Sequence, residues 1–142
     1  MYKKISALIA CSVMAFSNLA HAAKLSAEEE LANIKEAMPG SIAAKKKYKV
    51  LCFSKPYGFP HSSIKTAKKM IQVMGDKTGM FTVDFSDDAK DLSAANLAKY
   101  DALYLNNTTK MEKRITDPLK RKELIDFVKN GGGLFAVHAA TD

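Results

Sequence analysis

From Lys49 onward the chain alternates between two kinds of hydrophobic pattern. Val50-Leu51-Cys52-Phe53 is a short continuous apolar run, as expected of a parallel strand buried on both faces. After a loop from Ser54 to His61, Ser62 or Ser63 is placed to cap a helix whose Ile64, Ala67, Ile71 and Met74 recur at helical spacing. Gly75 or Gly79 is expected to stop it. Phe81 to Phe85 reads as a second strand, and an acidic loop with Asp87, Asp88 and Asp91 follows. Ser93 then caps a short helix running through Leu97 to Tyr100. Ala102-Leu103-Tyr104-Leu105 is a third strand that delivers Asn106-Asn107-Thr108-Thr109 to its carboxyl end. Asp117-Pro118 is a helix cap followed by proline at the first helical position, and Leu124, Ile125 and Val128 supply the stripe expected to be buried. Gly131-Gly132-Gly133 ends that helix, and Leu134 to Val137 is a fourth strand running into His138.

Strand and helix in strict alternation imply right-handed crossovers and a parallel sheet, hence an α/β domain. In such sheets ligands bind beyond the carboxyl ends of the strands. That directs attention to the loops Ser54 to Ser63, Asn106 to Thr109 and His138 to Asp142. The chain stops just after the fourth strand, before a helix that would cover it, leaving apolar surface and a strand edge. The expectation is a longer domain cut short, or a partner or second copy that completes the sheet.

The N-terminal pattern is of another kind. Lys3 and Lys4 precede an apolar stretch from Ile5 to about Ala20, and Ala20-His21-Ala22 follows: the order of a secretory signal peptide, cut after Ala22. A membrane anchor is the competing reading, but the apolar run falls short of the ~20 residues that a span needs and contains Ser6, Ser12, Ser17 and Asn18. Cys11 after Leu8-Ile9-Ala10 has the look of a lipoprotein box, although hydrophobicity continues past it. Residues 1–22 are thus read as a signal peptide, 23–48 as a leader helix and basic linker, and 49–142 as the main domain, exported to the periplasm or secreted. Ser26 with Glu29 forms a capping box for the leader helix, Leu31, Ile34 and Met38 line it, and Pro39-Gly40 ends it.

Composition narrows the classes. With 142 residues, 47% hydrophobic and 26% charged, the chain is one ordinary globular domain and no disordered polymer. Cleavage of the leader leaves Cys52 alone, so an internal disulfide is excluded. The net charge of +7 falls by two when Lys3 and Lys4 leave with the leader. The remaining lysines are scattered over helix faces, apart from Lys45-Lys46-Lys47 with Lys49, so no nucleic-acid partner is expected.

Two segments carry candidate chemistry. In Ser54-Lys55-Pro56-Tyr57-Gly58-Phe59-Pro60-His61, glycine and two prolines set an uncommon loop path ending in a histidine beside a helix start. His61 there suits a general base, a ligand for sugar hydroxyls, a metal ligand or a packing residue. In Gly131 to Asp142, small residues around a strand-to-turn junction allow a tight elbow that presents His138, a poor acyl-transfer nucleophile but a suitable base or ligand, with Asp142 placed to orient it. His61 and His138 show no short ligand spacing, so no metal is assigned, and no motif asks for a cofactor. Cys52 reads as a small core hydrophobe.

With the Ser54–His61 loop, Tyr100-Asp101-Ala102, Asn106-Asn107-Thr108-Thr109 and the Gly131–Asp142 segment in order, the chain from Val50 resembles the N-terminal part of the ThuA-like (trehalose-utilisation) family, which has a class I glutamine amidotransferase-like fold. The resemblance implies a flavodoxin-like, three-layer parallel sheet and a role in trehalose-type or keto-glycoside metabolism. It places His61, Asn107, His138 and Asp142 at the family's polar motif positions. Ala136 stands where a glycine is common, and the family's second half does not follow. His138 occupies the elbow where an amidotransferase has cysteine, so glutaminase activity is not implied.

The reading that results is a carbohydrate-active hydrolase or isomerase-like domain with a small-molecule sugar as partner. His138, His61 and Asp142 are the catalytic candidates, and Asn107, Tyr57, Asn106 and Thr108 the substrate-binding ones. The alternatives are a non-catalytic sugar-binding or interaction module using the same pocket, and an inactive fragment.

Overall fold

A computed structural model describes residues 24–113 and 115–140. The proposed leader, the Cys11 lipidation site and Asp142 lie outside the described residues. The chain divides into two compact units, 1–30 and 31–142. In the first, the described residues hold the start of helix α1 (Ala27–Ala37). Its capping box is formed: the Glu29 N–H donates to Ser26 Oγ at 3.1 Å and the Ser26 N–H to Glu29 Oε2 at 2.8 Å.

The second unit holds four parallel strands, β1 (Tyr48–Phe53), β2 (Phe81–Ser86), β3 (Ala102–Asn106) and β4 (Gly133–Val137), in the order β2-β1-β3-β4. Helices α2 (Ser63–Thr78), α3 (Ala94–Leu97) and α4 (Pro118–Lys129) connect them. This is the flavodoxin-like α/β arrangement, and its strand order reverses between β1 and β3.

Alternation along the strands sorts the core into two layers. Leu51, Phe53, Leu103 and Leu105 point to one face, where they meet Leu92, Leu97 and Ile115. Cys52 and Tyr104 point to the other and meet Ile71 and Met74 of α2. Full burial of each leucine contributes about 1.5–3 kcal/mol, so this stacking outweighs any single polar contact in the sheet.

Several local expectations are corrected. Gly75 does not stop α2; it lies inside the helix, where a Cβ would come 2.8 Å from the Phe81 carbonyl oxygen. Glycine there lets α2 lie against β2, and the helix ends at Gly79 in the left-handed conformation, φ +69°. Ser93 makes no side-chain cap bond; Glu123 accepts from the Ala94 N–H instead, at 3.2 Å. Asp117 caps α4 as its spacing predicts, accepting from the Leu119 N–H at 2.9 Å. The inward stripe of α4 is Leu124 with Phe127, while Ile125 and Val128 face outward, 53% and 41% exposed. Leu134 and Phe135 of β4 are exposed as well, on opposite faces of the edge strand.

The basic linker is tied down. The Ile42 N–H donates to the Thr78 carbonyl at 3.1 Å, and Lys77 Nζ donates to the Met38 carbonyl at 3.0 Å. Lys46 Nζ donates to Asp101 Oδ1. Asp101 also accepts from the Lys49 N–H at 2.8 Å, and Lys49 Nζ lies 2.9 Å from Asp84. Tyr100 completes this network at the amino ends of the strands, donating to Asp84 at 2.9 Å beneath the Lys49 ammonium.

Two outcomes follow from these contacts. Gly75→Ala is expected to destabilise the domain by about 1–3 kcal/mol, against the ordinary stabilising effect of alanine in a helix, because the Phe81 backbone must shift; urea unfolding measures it. The second concerns pH. The Lys46 hydrogen bond holds the Asp101 carboxyl below the usual range, and the Lys49 hydrogen bond does the same for Asp84. Their stabilisation is present above the ordinary carboxylate range and is lost as pH falls through the lowered values. Burial, then the bond to Asp84, pushes Tyr100 up to about 12, so its contribution is whole below the ordinary tyrosine value and is lost as pH rises through about 12. The melting temperature should therefore show a plateau closed by an acid and an alkaline limb, with Asp101→Asn flattening the acid one. An acid limb of unchanged steepness in that variant would exclude the role given to Asp101.

Candidate functional site

Because the strands are parallel, the loops that follow β1, β3 and β4 leave the sheet at one rim. Pairing of Asn106 with Val137, and of Phe53 with Leu105, puts the three exits almost level. Backbone bonds then tie the loops together. The Tyr57 N–H donates to the Thr109 carbonyl at 3.0 Å, and the Asn107 N–H to the Val137 carbonyl at 3.4 Å. Thr108 Oγ1 donates to the Ala140 carbonyl at 3.3 Å.

The two histidines meet at this rim. The rings of His61 and His138 approach edge to face, with centroids 4.6 Å apart. Phe59 also stands against His61, with ring centroids 5.2 Å apart and edge-on. His61 is half-buried and His138 exposed. The path of the first loop requires Gly58, whose φ is +109°. The elbow at the end of β4 is present: His138 itself adopts φ +59°, a left-handed conformation that a residue with a Cβ seldom takes. Asn107 leaves β3 in the same way, with φ +55°. Two neighbouring strands thus end on strained residues side by side, a pattern that accumulates where a site over-determines its backbone.

The remaining predicted residues separate into two groups. Tyr57 is 46% exposed at the rim, in position to touch a ligand. Asn106 and Thr108 are sealed, each with 0% exposure, and their polar atoms are engaged inside the protein. Asn106 Nδ2 donates to Ser54 Oγ and to the Ile64 carbonyl, both at 3.1 Å, and Asn106 Oδ1 accepts from Asn107 Nδ2 at 2.8 Å. These two build the rim from below. Asn107 is 2% exposed, and its Oδ1 has no hydrogen-bond partner among the described residues. Asp142 is outside the described residues.

Phe59, 75% exposed beside His61, was not among the residues singled out from sequence. Its signal was there: a large aromatic in a loop held by Pro56 and Pro60 has no apolar period to serve. Among the described residues no three His, Cys, Asp or Glu side chains gather as a metal site would require. Cys52 is fully buried, and burial pushes its thiol up, the opposite of what a nucleophile needs.

Two clefts lie at the other end of the sheet. One of 360 Å³ is lined by Tyr100, Asp101, Phe127 and Asn130, and one of 490 Å³ by Lys46, Tyr48, Phe81 and Asp101. Both open at the amino ends of the strands, and neither is lined by His61, Asn107 or His138. Among the described residues the rim is the chemically stronger location, because there imidazoles, exposed aromatics and left-handed backbone coincide.

The elbow strain has a measurable sign. Glycine tolerates positive φ and alanine does not, so His138→Gly is expected to be more stable than His138→Ala by about 1 kcal/mol in urea unfolding. Equal stabilities would mean that residue 138 is not held left-handed.

Comparison with known proteins adds one finding. The model of the ThuA family, described as trehalose utilisation, matches residues 49–142. No curated protein and no solved structure matches.

Proposed function

The chain belongs to the ThuA (trehalose utilisation) family over residues 49–142, and from that premise we propose that its rim binds a sugar or keto-sugar and moves protons on it. The observation that carries the proposal is the contact of His61 with His138, two imidazoles far apart in sequence whose ring centroids lie 4.6 Å apart. One imidazole takes a proton from a hydroxyl or from the carbon beside a carbonyl while the other returns one, the division of labour that suits hydrolase or isomerase-like chemistry. Asn107 holds the ligand by hydrogen bonds, and the exposed rings of Tyr57 and Phe59 offer apolar faces to the C–H side of a pyranose. The protein works outside the cytoplasm, secreted or periplasmic, on the strength of the basic, apolar and small-residue order of its first 22 residues.

No helix among the described residues is long and apolar enough to cross a membrane.

The test separates binding from conversion. Trehalose and related glycosides are titrated by calorimetry, and product formation is followed by chromatography. His138→Ala is expected to lower conversion about a hundredfold or more while the urea midpoint stays near that of the parent. Conversion that survives His138→Ala removes the histidine from the chemistry. Binding without conversion in the parent chain favours the module that only recognises sugar, and absence of binding rejects the carbohydrate reading.

A further inference from the structure

A carboxamide has one end that donates and one that accepts, and a neighbour that can only accept decides which way it turns. The Ile64 carbonyl is such a neighbour, and Asn106 Nδ2 lies 3.1 Å from it. The Asn106 amide is thereby fixed with its oxygen toward Asn107. Asn107 must then present its NH2 group to that oxygen, at 2.8 Å, since the reverse orientation would set two carbonyl oxygens against each other. What remains for the rim is Asn107 Oδ1, buried and without a partner among the described residues.

The relay joins the two histidine-bearing elements. It begins at Ile64, whose N–H donates to the His61 carbonyl at 3.2 Å, and ends at Asn107, whose N–H donates to the carbonyl of Val137, the residue before His138. We infer that Asn106 is a positioning residue that locks Asn107 as an acceptor, so that the site engages its ligand through a hydrogen-bond donor and rejects groups that only accept. The identity of that donor as a sugar hydroxyl rests on the proposal above; the direction of the relay does not. Asn107 Oδ1 has virtually no exposed area, so a ligand reaches it only when its surroundings shift.

NMR of the full chain labelled with ¹⁵N tests this. In the unliganded protein the Asn106 side-chain amide protons should show nuclear Overhauser contacts to Ser54 and Ile64, and those of Asn107 to Asn106, with slow solvent exchange in both. An Asn107 NH2 group that exchanges freely or lies against His138 overturns the relay. Asn106→Leu keeps most of the volume but offers no oxygen to the Asn107 NH2 group, and is expected to release the Asn107 amide; should that variant fail to fold, the parent spectrum decides. Trehalose and inorganic sulfate are then titrated at about pH 8, on the basic side of the ordinary imidazole range. Trehalose should bind, about tenfold more weakly to Asn107→Ala, and sulfate should leave the Asn107 and His138 signals unmoved. Sulfate bound at those residues overturns the donor requirement. Ordered amides with no response to trehalose uphold the relay and reject the sugar reading; trehalose bound to a protein with freely turning amides does the reverse.

Discussion

Everything at the rim depends on the pairing of β3 with β1 on one side and β4 on the other, in parallel and almost level. Parallel strands send their outgoing loops to the same end of a sheet, so three segments remote in sequence are brought together before any side chain is considered. Slippage of β3 against either neighbour by one residue would turn Asn106 from the α2 face to the opposite one. It would also break the row of Leu51 and Leu103 on which the larger core layer is built. Hydrophobic burial therefore sets the register, and the register sets the site.

The polar centre of this arrangement is itself sealed. Ser54, Asn106, Asn107 and Thr108 are all buried where the strands end, and they are bonded mainly to one another and to backbone carbonyls. Buried polar groups are destabilising unless satisfied, and once satisfied they specify a single arrangement. The asparagine pair and the left-handed turns at Asn107 and His138 are two sides of one solution: the backbone bends sharply, and the amides fill the space beneath the bend.

Much of the fold was legible because the chain obeys simple periodicities. Each apolar run became a strand, Asp117-Pro118 became a helix start, and the site loops were named from the rule that ligands lie beyond strand ends. What was not legible depended on three-dimensional neighbours. Gly75 and Gly79 were equal candidates for the helix stop; Gly79 is the stop, and Gly75 makes room for the Phe81 backbone, which lies outside the helix. Of the expected stripe Leu124, Ile125 and Val128, only Leu124 packs on the core, with Phe127 beside it, since the α4 sequence permits two stripes and packing selects one. At the site, their place at the carboxyl end of β3 made Asn106 and Thr108 candidate ligand contacts, and both are buried there. Their position on the covered side of the rim emerges only from the pairing of the strands.

The strands keep their charged network and their histidine pair at opposite ends, separated by roughly 15 Å for a five-residue strand. Lys46, Lys49, Tyr100 and Asp101 gather at the amino ends and reach Asp84 midway along β2, while His61 and His138 stand at the other. Substitutions that alter acid tolerance at one end of the sheet can therefore leave the histidine pair at the other untouched.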